Sequence, residues 1–304
     1  MKKVLLTAAA FLCFVAARAQ LFDIGSITRV ALPEGTAVEQ AVLSPDGTKV
    51  AFTDYRSGAL ALAELSTGDV THVSDSGIAL DLAFMPDSRN LIFNEVNYGD
   101  DHLRRVSVKS FDASTGRISE IFAPTRDLGG VVIDGNAVCA VDGRRMHARS
   151  VGSAAGKADV SRPVLSIDRG QLCITENGRT RVLSPLGTEG MSYLWPSLSP
   201  DGSRICFYAA GLGCYTCRTD GSDIRKLGWI RAARWYDNSI IVGMHDRTDG
   251  DVITTSELIA KKADGSVAQK LTDSSYVALY PSVSEGKIGF STLDGHFYII
   301  NVNN

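Results

Sequence analysis

The chain says nearly the same thing twice, as "LSPDGTKVAF" at 43–52 and "LSPDGSRICF" at 198–207. In both, a short strand runs into Ser-Pro-Asp-Gly and a second β-rich strand leaves it. Proline fixes φ near −65° early in such a turn, aspartate bonds local backbone N–H groups, and glycine accepts a positive φ. Variants recur as "LAFMPDS", "GVVIDGN", "ARWYDNS" and "PSVSEGK". A third strand then ends in another turn ("LALAELSTGD", "CYTCRTDGSD", "LIAKKADGS"), and a short fourth strand closes the unit ("VTHVSD", "IRKLGW", "AQKLTD"). Four short strands in roughly 40 to 50 residues are the unit of a β-propeller blade. The fold class predicted is therefore all-β, with small antiparallel sheets set around a ring.

Six units are predicted, at about 37–77, 78–125, 126–190, 191–230, 231–275 and 276–304. The alternative is seven, with the doubt concentrated in 126–190. The last unit lacks a fourth strand, and "GSITRVALPEGT" near the start supplies one, since its sequel "VEQAVLSPDG" parallels "VALYPSVSEG". The first strand would then complete the last blade and remove two open sheet edges.

These phrases, with "TDGSDIRKL" and "ADGSVAQKL", resemble the WD-repeat-like blades of the TolB family across residues 20–304. The resemblance implies a propeller without the N-terminal domain that precedes the ring in TolB proteins, because Gln20 leads almost directly into the first strand.

Residues 1–19 read as a secretory signal peptide. Lys2 and Lys3 precede an apolar run, and Ala17-Arg18-Ala19 fits a small-x-small cleavage site. The run is too short to span a bilayer comfortably, so an exported chain, periplasmic or secreted, is expected. Without Lys2, Lys3 and Arg18 the chain carries 28 basic against 34 acidic residues. Nucleic acid is excluded on that balance, which offers no basic footprint. Cys13 leaves with the leader and five cysteines remain. Cys214-x-x-Cys217 lies along a predicted strand, where positions three apart face opposite ways. Folding the hairpin about Ala210 brings Cys206 near Cys214, a candidate cross-strand disulfide. Small buried hydrophobes are the reading preferred for all five.

The turns between first and second strands are short and uniform, whereas second-to-third connections are elaborated: "NEVNYGDDHLRR", "MHDRTDGDVITTSE" and the insertion beginning "GRRMHARS". All would fall on one face, and loops on a rigid scaffold carry function disproportionately. On that face the inner strands should present Gln40, Asp81, Leu128, Trp195, Arg231 and Leu279 or Tyr280 at the channel mouth. His102, Arg145, His147 and His245 join them from the loops. Asp246, Asp249 and Asp251 are candidate oxygen ligands for calcium. The function expected is that of a monomeric, non-catalytic binding or scaffold propeller in the bacterial cell envelope, taking a protein, peptide or glycan and needing no cofactor. The alternative is a propeller enzyme, a lyase, lactonase or glycan-active hydrolase, with a metal in the channel. A serine-hydrolase reading fails because "GMSYL" lacks the closing glycine of the nucleophile motif.

Overall fold

A computed structural model describes residues 20–303, apart from 76–77, 127, 143–144, 152–159 and 251. The leader predicted at 1–19 lies outside the described residues. Twenty-six strands form seven sheets among them. Blade 1 is β2 (Val38–Leu43), β3 (Lys49–Asp54), β4 (Leu60–Glu64) and β5 (Val70–Ser74). Blade 2 is β6 (Ile78–Phe84), β7 (Asn90–Tyr98), β8 (Arg104–Asp112) and β9 (Arg117–Thr125). Blade 3 has β10 (Leu128–Asp134), β11 (Ala137–Asp142) and β12 (Arg145–Ser150), and blade 4 has β13 (Val164–Asp168), β14 (Gln171–Glu176) and β15 (Arg179–Val182). Blade 5 is β16 (Tyr193–Leu198), β17 (Arg204–Ala209), β18 (Gly213–Arg218) and β19 (Arg225–Gly228). Blade 6 is β20 (Arg231–Trp235), β21 (Ile240–Asp249), β22 (Val252–Lys262) and β23 (Ala268–Lys270). Blade 7 joins β24 (Ala278–Ser284), β25 (Lys287–Thr292) and β26 (Phe297–Asn303) to β1 (Asp23–Arg29).

Seven blades, the stated alternative, replace the six expected first. The buried apolar residues give the same number independently, because they fall into seven clusters, one at each blade–blade interface. Strands buried on both faces read as apolar runs, as in "RICFYA", where Phe207 packs toward blade 4 and Cys206 toward blade 6.

Among the described residues the region 126–190 forms two three-stranded blades, and strand direction explains them. A four-stranded blade returns the chain to the face it left, so the next inner strand runs the same way. A three-stranded blade leaves it on the opposite face. After β12 the chain is at the turn face, where Ser161 and Arg162 donate backbone N–H groups to Asp134 Oδ2 (2.7 and 3.0 Å). Arg162 also donates from Nη2 to the Ser199 carbonyl in the blade 5 turn (2.6 Å). Hence β13 starts where other inner strands end. Its hairpin to β14 ends beside the start of β16, with the Tyr193 N–H donating to the Gly170 carbonyl (2.8 Å). Blade 4 is inverted in the ring, and its own odd strand count restores the direction for blade 5.

The Ser-Pro-Asp-Gly turns stitch the ring as well as reversing the chain. Asp46 Oδ1 accepts from Ser44 Oγ (2.6 Å), the Thr48 N–H (3.0 Å) and Thr48 Oγ1 (2.8 Å), while Gly47 sits at φ 64°. Asp201 repeats the pattern with Ser199 and Ser203. The turn's own N–H groups reach the next blade: Asp46 to Ser88 Oγ (3.0 Å) and Asp201 to Asn238 Oδ1 (2.9 Å). Slight burial works against the Asp46 carboxylate, but its hydrogen bonds from Ser44 and Thr48 and the charge of Lys49 hold it down to about 2.

The closing strand β1 pairs antiparallel with β26, Thr28 opposite Ile299 and Asp23 opposite Asn303. Just before it, Gln269 Oε1 accepts the N–H groups of Leu21 and Phe22 (2.7 and 2.8 Å), and buried Phe22 sets its edge against Tyr236 at 4.7 Å.

Asp201→Ala should lower Tm by about 2–6 °C, the loss of roughly 1–2 kcal/mol of turn hydrogen bonding. An unchanged melt would remove the turn's structural role. Because the folded Asp46 carboxylate titrates near 2 rather than 3.8, its contribution is complete above about pH 4 and vanishes as pH falls through 2. Asp46→Asn should therefore narrow the stability gap to wild type progressively between pH 4 and pH 2 in acid melts. Deleting residues 20–31 should destabilise the whole ring in one cooperative transition. A truncated chain that melts like the full one would mean that β1 is dispensable for closure.

Candidate functional site at the channel mouth

Six inner strands carry a register irregularity near their first residues: between Val38 and Ala41, Ala79 and Leu82, Leu128 and Gly130, Leu194 and Ser197, Arg231 and Arg234, and Leu279 and Ser282. Such bulges re-aim side chains and are common beside functional sites. In blades 5, 6 and 7 the first extra residue is left-handed: Trp195 at φ 48°, Ala232 at 48° and Tyr280 at 46°. A bulky side chain in that region is an outlier, whose strain of roughly 1–3 kcal/mol persists only where the surroundings impose it. Trp195 and Tyr280 each precede a proline (Pro196, Pro281), which narrows their choice further. The proline suits the bulge, since the unpaired residue then carries no N–H to satisfy.

This arc gathers aromatic and charged groups. Trp195 is 44% exposed and rests against Tyr208 with ring centroids 5.6 Å apart. Tyr208 is reached through the ladder, opposite Leu194. Arg231 Nη1 donates to Asp246 Oδ2 at 2.7 Å, with the guanidinium side 38% exposed and the carboxylate only 4%. Burial pushes the Tyr208 phenol up, with Asp246 adding to the shift and Arg231 opposing it. Tyr280 is also raised, first by burial and then by Glu39, again against Arg231. Both phenols therefore stay protonated at neutral pH and feel the same ion pair.

The other expected site residues are placed as follows. Gln40 is half-buried in β2, where its N–H donates to Thr53 Oγ1 (3.3 Å). Asp81 lies in β6, but its side chain is outside the described residues. The bulge register puts Gln40 and Asp81 level with Pro196 and Pro281, one place after Trp195 and Tyr280. The residues level with the aromatics are Glu39, Leu80 and Ala232. His102, at φ 57°, stands exposed in the β7–β8 connection.

"RMHARS" is not a loop on this face. It is β12, the outermost described strand of blade 3, with Arg145, His147 and Arg149 on its exposed side. His147 and Arg149 lie over Phe122 of blade 2, at 6.4 and 6.0 Å. Arg149 also lines a groove of about 620 Å³ between blades 2 and 3, together with Arg89, Asp112 and Arg117. His245 pairs with Glu257 on the β21–β22 ladder. Asp246 and Asp249 are three apart on β21 and so face opposite ways, and Asp251 lies outside the described residues. Among the described residues no three His, Cys, Asp or Glu side chains converge as a metal-binding group.

The five cysteines described are buried thiols. Cys206 and Cys214 are diagonal on the ladder, opposite Thr216 and Tyr208 respectively, and their sulfurs are 3.5 Å apart. The hydrogen bond from Cys214, then burial, raises the Cys206 thiol well above its ordinary value. Tyr208, Glu39 and the structural partner of Arg231 escape a search by motif. The signal for the arc is the shared "LWPS" and "LYPS" two residues before the turn sequences.

Tyr208→Ala should take away the support of Trp195. The difference in emission between each protein and its Trp195→Phe derivative should then shift to the red, and an unmoved spectrum would mean the two rings are independent.

No protein-family model matches the chain, and no curated protein matches it either. Solved structures do. The chain is similar to a streptogramin B lyase at 14% identity and TM-score 0.64, covering 91% of this chain and 98% of that one. It is similar to the RRP9 WD40 repeats at 11% identity and TM-score 0.66, covering 92% and 100%. A chain of a mitotic checkpoint complex aligns at 12% identity and TM-score 0.58, covering 100% and 99%. At these identities the likeness is one of fold, shared by enzyme and scaffold propellers alike.

Proposed function

We propose that this chain is a non-catalytic binding propeller, exported to the periplasm or beyond, that takes a protein or peptide partner at the channel mouth of blades 5, 6 and 7. The observation that carries this reading is the run of strained bulges holding Trp195 and Tyr280 above the Arg231–Asp246 pair. Strain of that kind persists where the surrounding structure imposes it, and it clusters at ligand clamps. An exposed indole and phenols beside an arginine are the residue types that dominate binding hot spots. WD40 neighbours support a scaffold role by analogy of fold. No helix of the described residues is long and apolar enough to cross a membrane.

The test is capture by cross-linking from envelope extract, using wild type, the Trp195→Ala/Tyr280→Ala double variant and Asp201→Ala. The double variant should lose the captured partner with Tm within a few degrees of wild type. Asp201→Ala, less stable, should keep it below its melting temperature. Capture that survives the double variant would move the binding face elsewhere.

A further inference from the structure

The arc has an uneven supply of hydrogen-bonding groups, and the imbalance bears on what it can hold. Its polar groups are the Arg231 guanidinium and the Trp195 indole N–H, which only donate, and the Tyr208 and Tyr280 hydroxyls, which donate and accept. A guanidinium has five N–H groups in a fixed fork and accepts nothing. Only Nη1 is engaged by Asp246. The Asp246 side chain is 4% exposed and the Arg231 side chain 38%, so the positive partner of the pair is the one solvent and a ligand can reach. Asp246 is spent on holding Arg231 and is not offered to a ligand.

A neutral sugar offers the guanidinium no anion, so it forgoes the charge-assisted pairing that is the strongest interaction this surface can make. A carboxylate suits it, since it accepts only and matches the guanidinium fork. The exposed Trp195 face then gives an apolar group next to that carboxylate somewhere to lie. A further acceptor, Glu39, acts on Tyr280 from blade 1 and can take a backbone N–H further along a chain.

We infer that the mouth binds the free C-terminus of a peptide, with the terminal carboxylate on Arg231 and an aromatic or large apolar last side chain against Trp195. This rests on the proposal that the arc is the binding site, and it names the ligand chemistry. Recognition is by charge-assisted hydrogen bonds, so the anion and not merely the side chain must be required.

The experiment is a fluorescence titration of the full chain with Ala-Ala-Phe as the free acid and as its C-terminal amide, alongside N-acetyl-Ala-Ala-Phe acid and glucuronate. Wild type should bind both peptide acids about tenfold or more tighter than the amide, the range expected for one charge-assisted hydrogen bond. Glucuronate should bind no better than the amide. Arg231→Lys should keep part of the preference. Arg231→Met paired with Asp246→Leu, which removes both charges without stranding either, should abolish it. Equal binding of acid and amide, a preference that survives the paired variant, or tighter binding of glucuronate would each overturn the inference. The parent reading fails by a different sign: partner capture and every titration unaffected by Trp195→Ala/Tyr280→Ala.

Discussion

A closed ring removes freedom in strand direction, and the architecture of this chain follows from that. Each inner strand must deliver the chain to one face or the other, and the number of strands in the blade decides which. One odd blade alone would leave every later inner strand reversed. Two in succession confine the reversal to blade 4, whose β13 runs from the turn face upward. Among the described residues blades 3 and 4 end outward in β12 and β15. Both carry arginines, Arg145 and Arg149 on one and Arg179 and Arg181 on the other, as edge strands do when pairing with another chain is to be discouraged.

The two faces of the ring are built by opposite means. At the turn face, aspartates satisfy their own turns while adjacent backbone N–H groups reach the next blade. The Ser-Pro-Asp-Gly turns there keep their strain on glycine, at Gly47 and Gly202. At the mouth of blades 5 and 7, Trp195 and Tyr280 are held in a left-handed conformation that bulky residues rarely adopt. Energy gained by the first face and by the seven apolar interfaces sustains the strain of the second. Rigidity from the scaffold makes strained side chains usable, because a ligand meeting them has little ordering left to supply.

How much of this was legible follows from where each feature is encoded. Turns and strand alternation are local, so Ser-Pro-Asp-Gly announced the propeller and the pairing of β1 with β26. The count stayed open between six and seven at 126–190 because, among the described residues, blades 3 and 4 show no fourth strand of the kind on which the repeat was scored, and "SRPVLSIDRG" enters its blade backwards. The places of Trp195, Arg231 and Tyr280 near the starts of inner strands were legible because those strands could be aligned on the turns. Glu39 was missed because bulges slip the register by one, and one residue on a strand is the difference between two faces. Asp246 was read as a loop ligand. It is the buried partner of Arg231, a pairing across strands that no spacing in the sequence displays.

The asymmetry of the ring also argues for an off-axis ligand. Among the described residues, left-handed bulges in the inner strands occur in blades 5, 6 and 7 alone. Blade 4 brings to that face the hairpin turn at Arg169 and Gly170 instead of a bulge, since its inner strand arrives from below. The inversion that solves the direction problem thus sets one boundary of the mouth, next to Trp195. Glu39, half-buried on β2, sets the other, across from Tyr280. Between these limits lie one exposed indole, two protonated phenols and one half-neutralised guanidinium. A ligand with an apolar end group and an anionic terminus fits that span, whereas one centred on the channel axis would meet its matching groups on one side only.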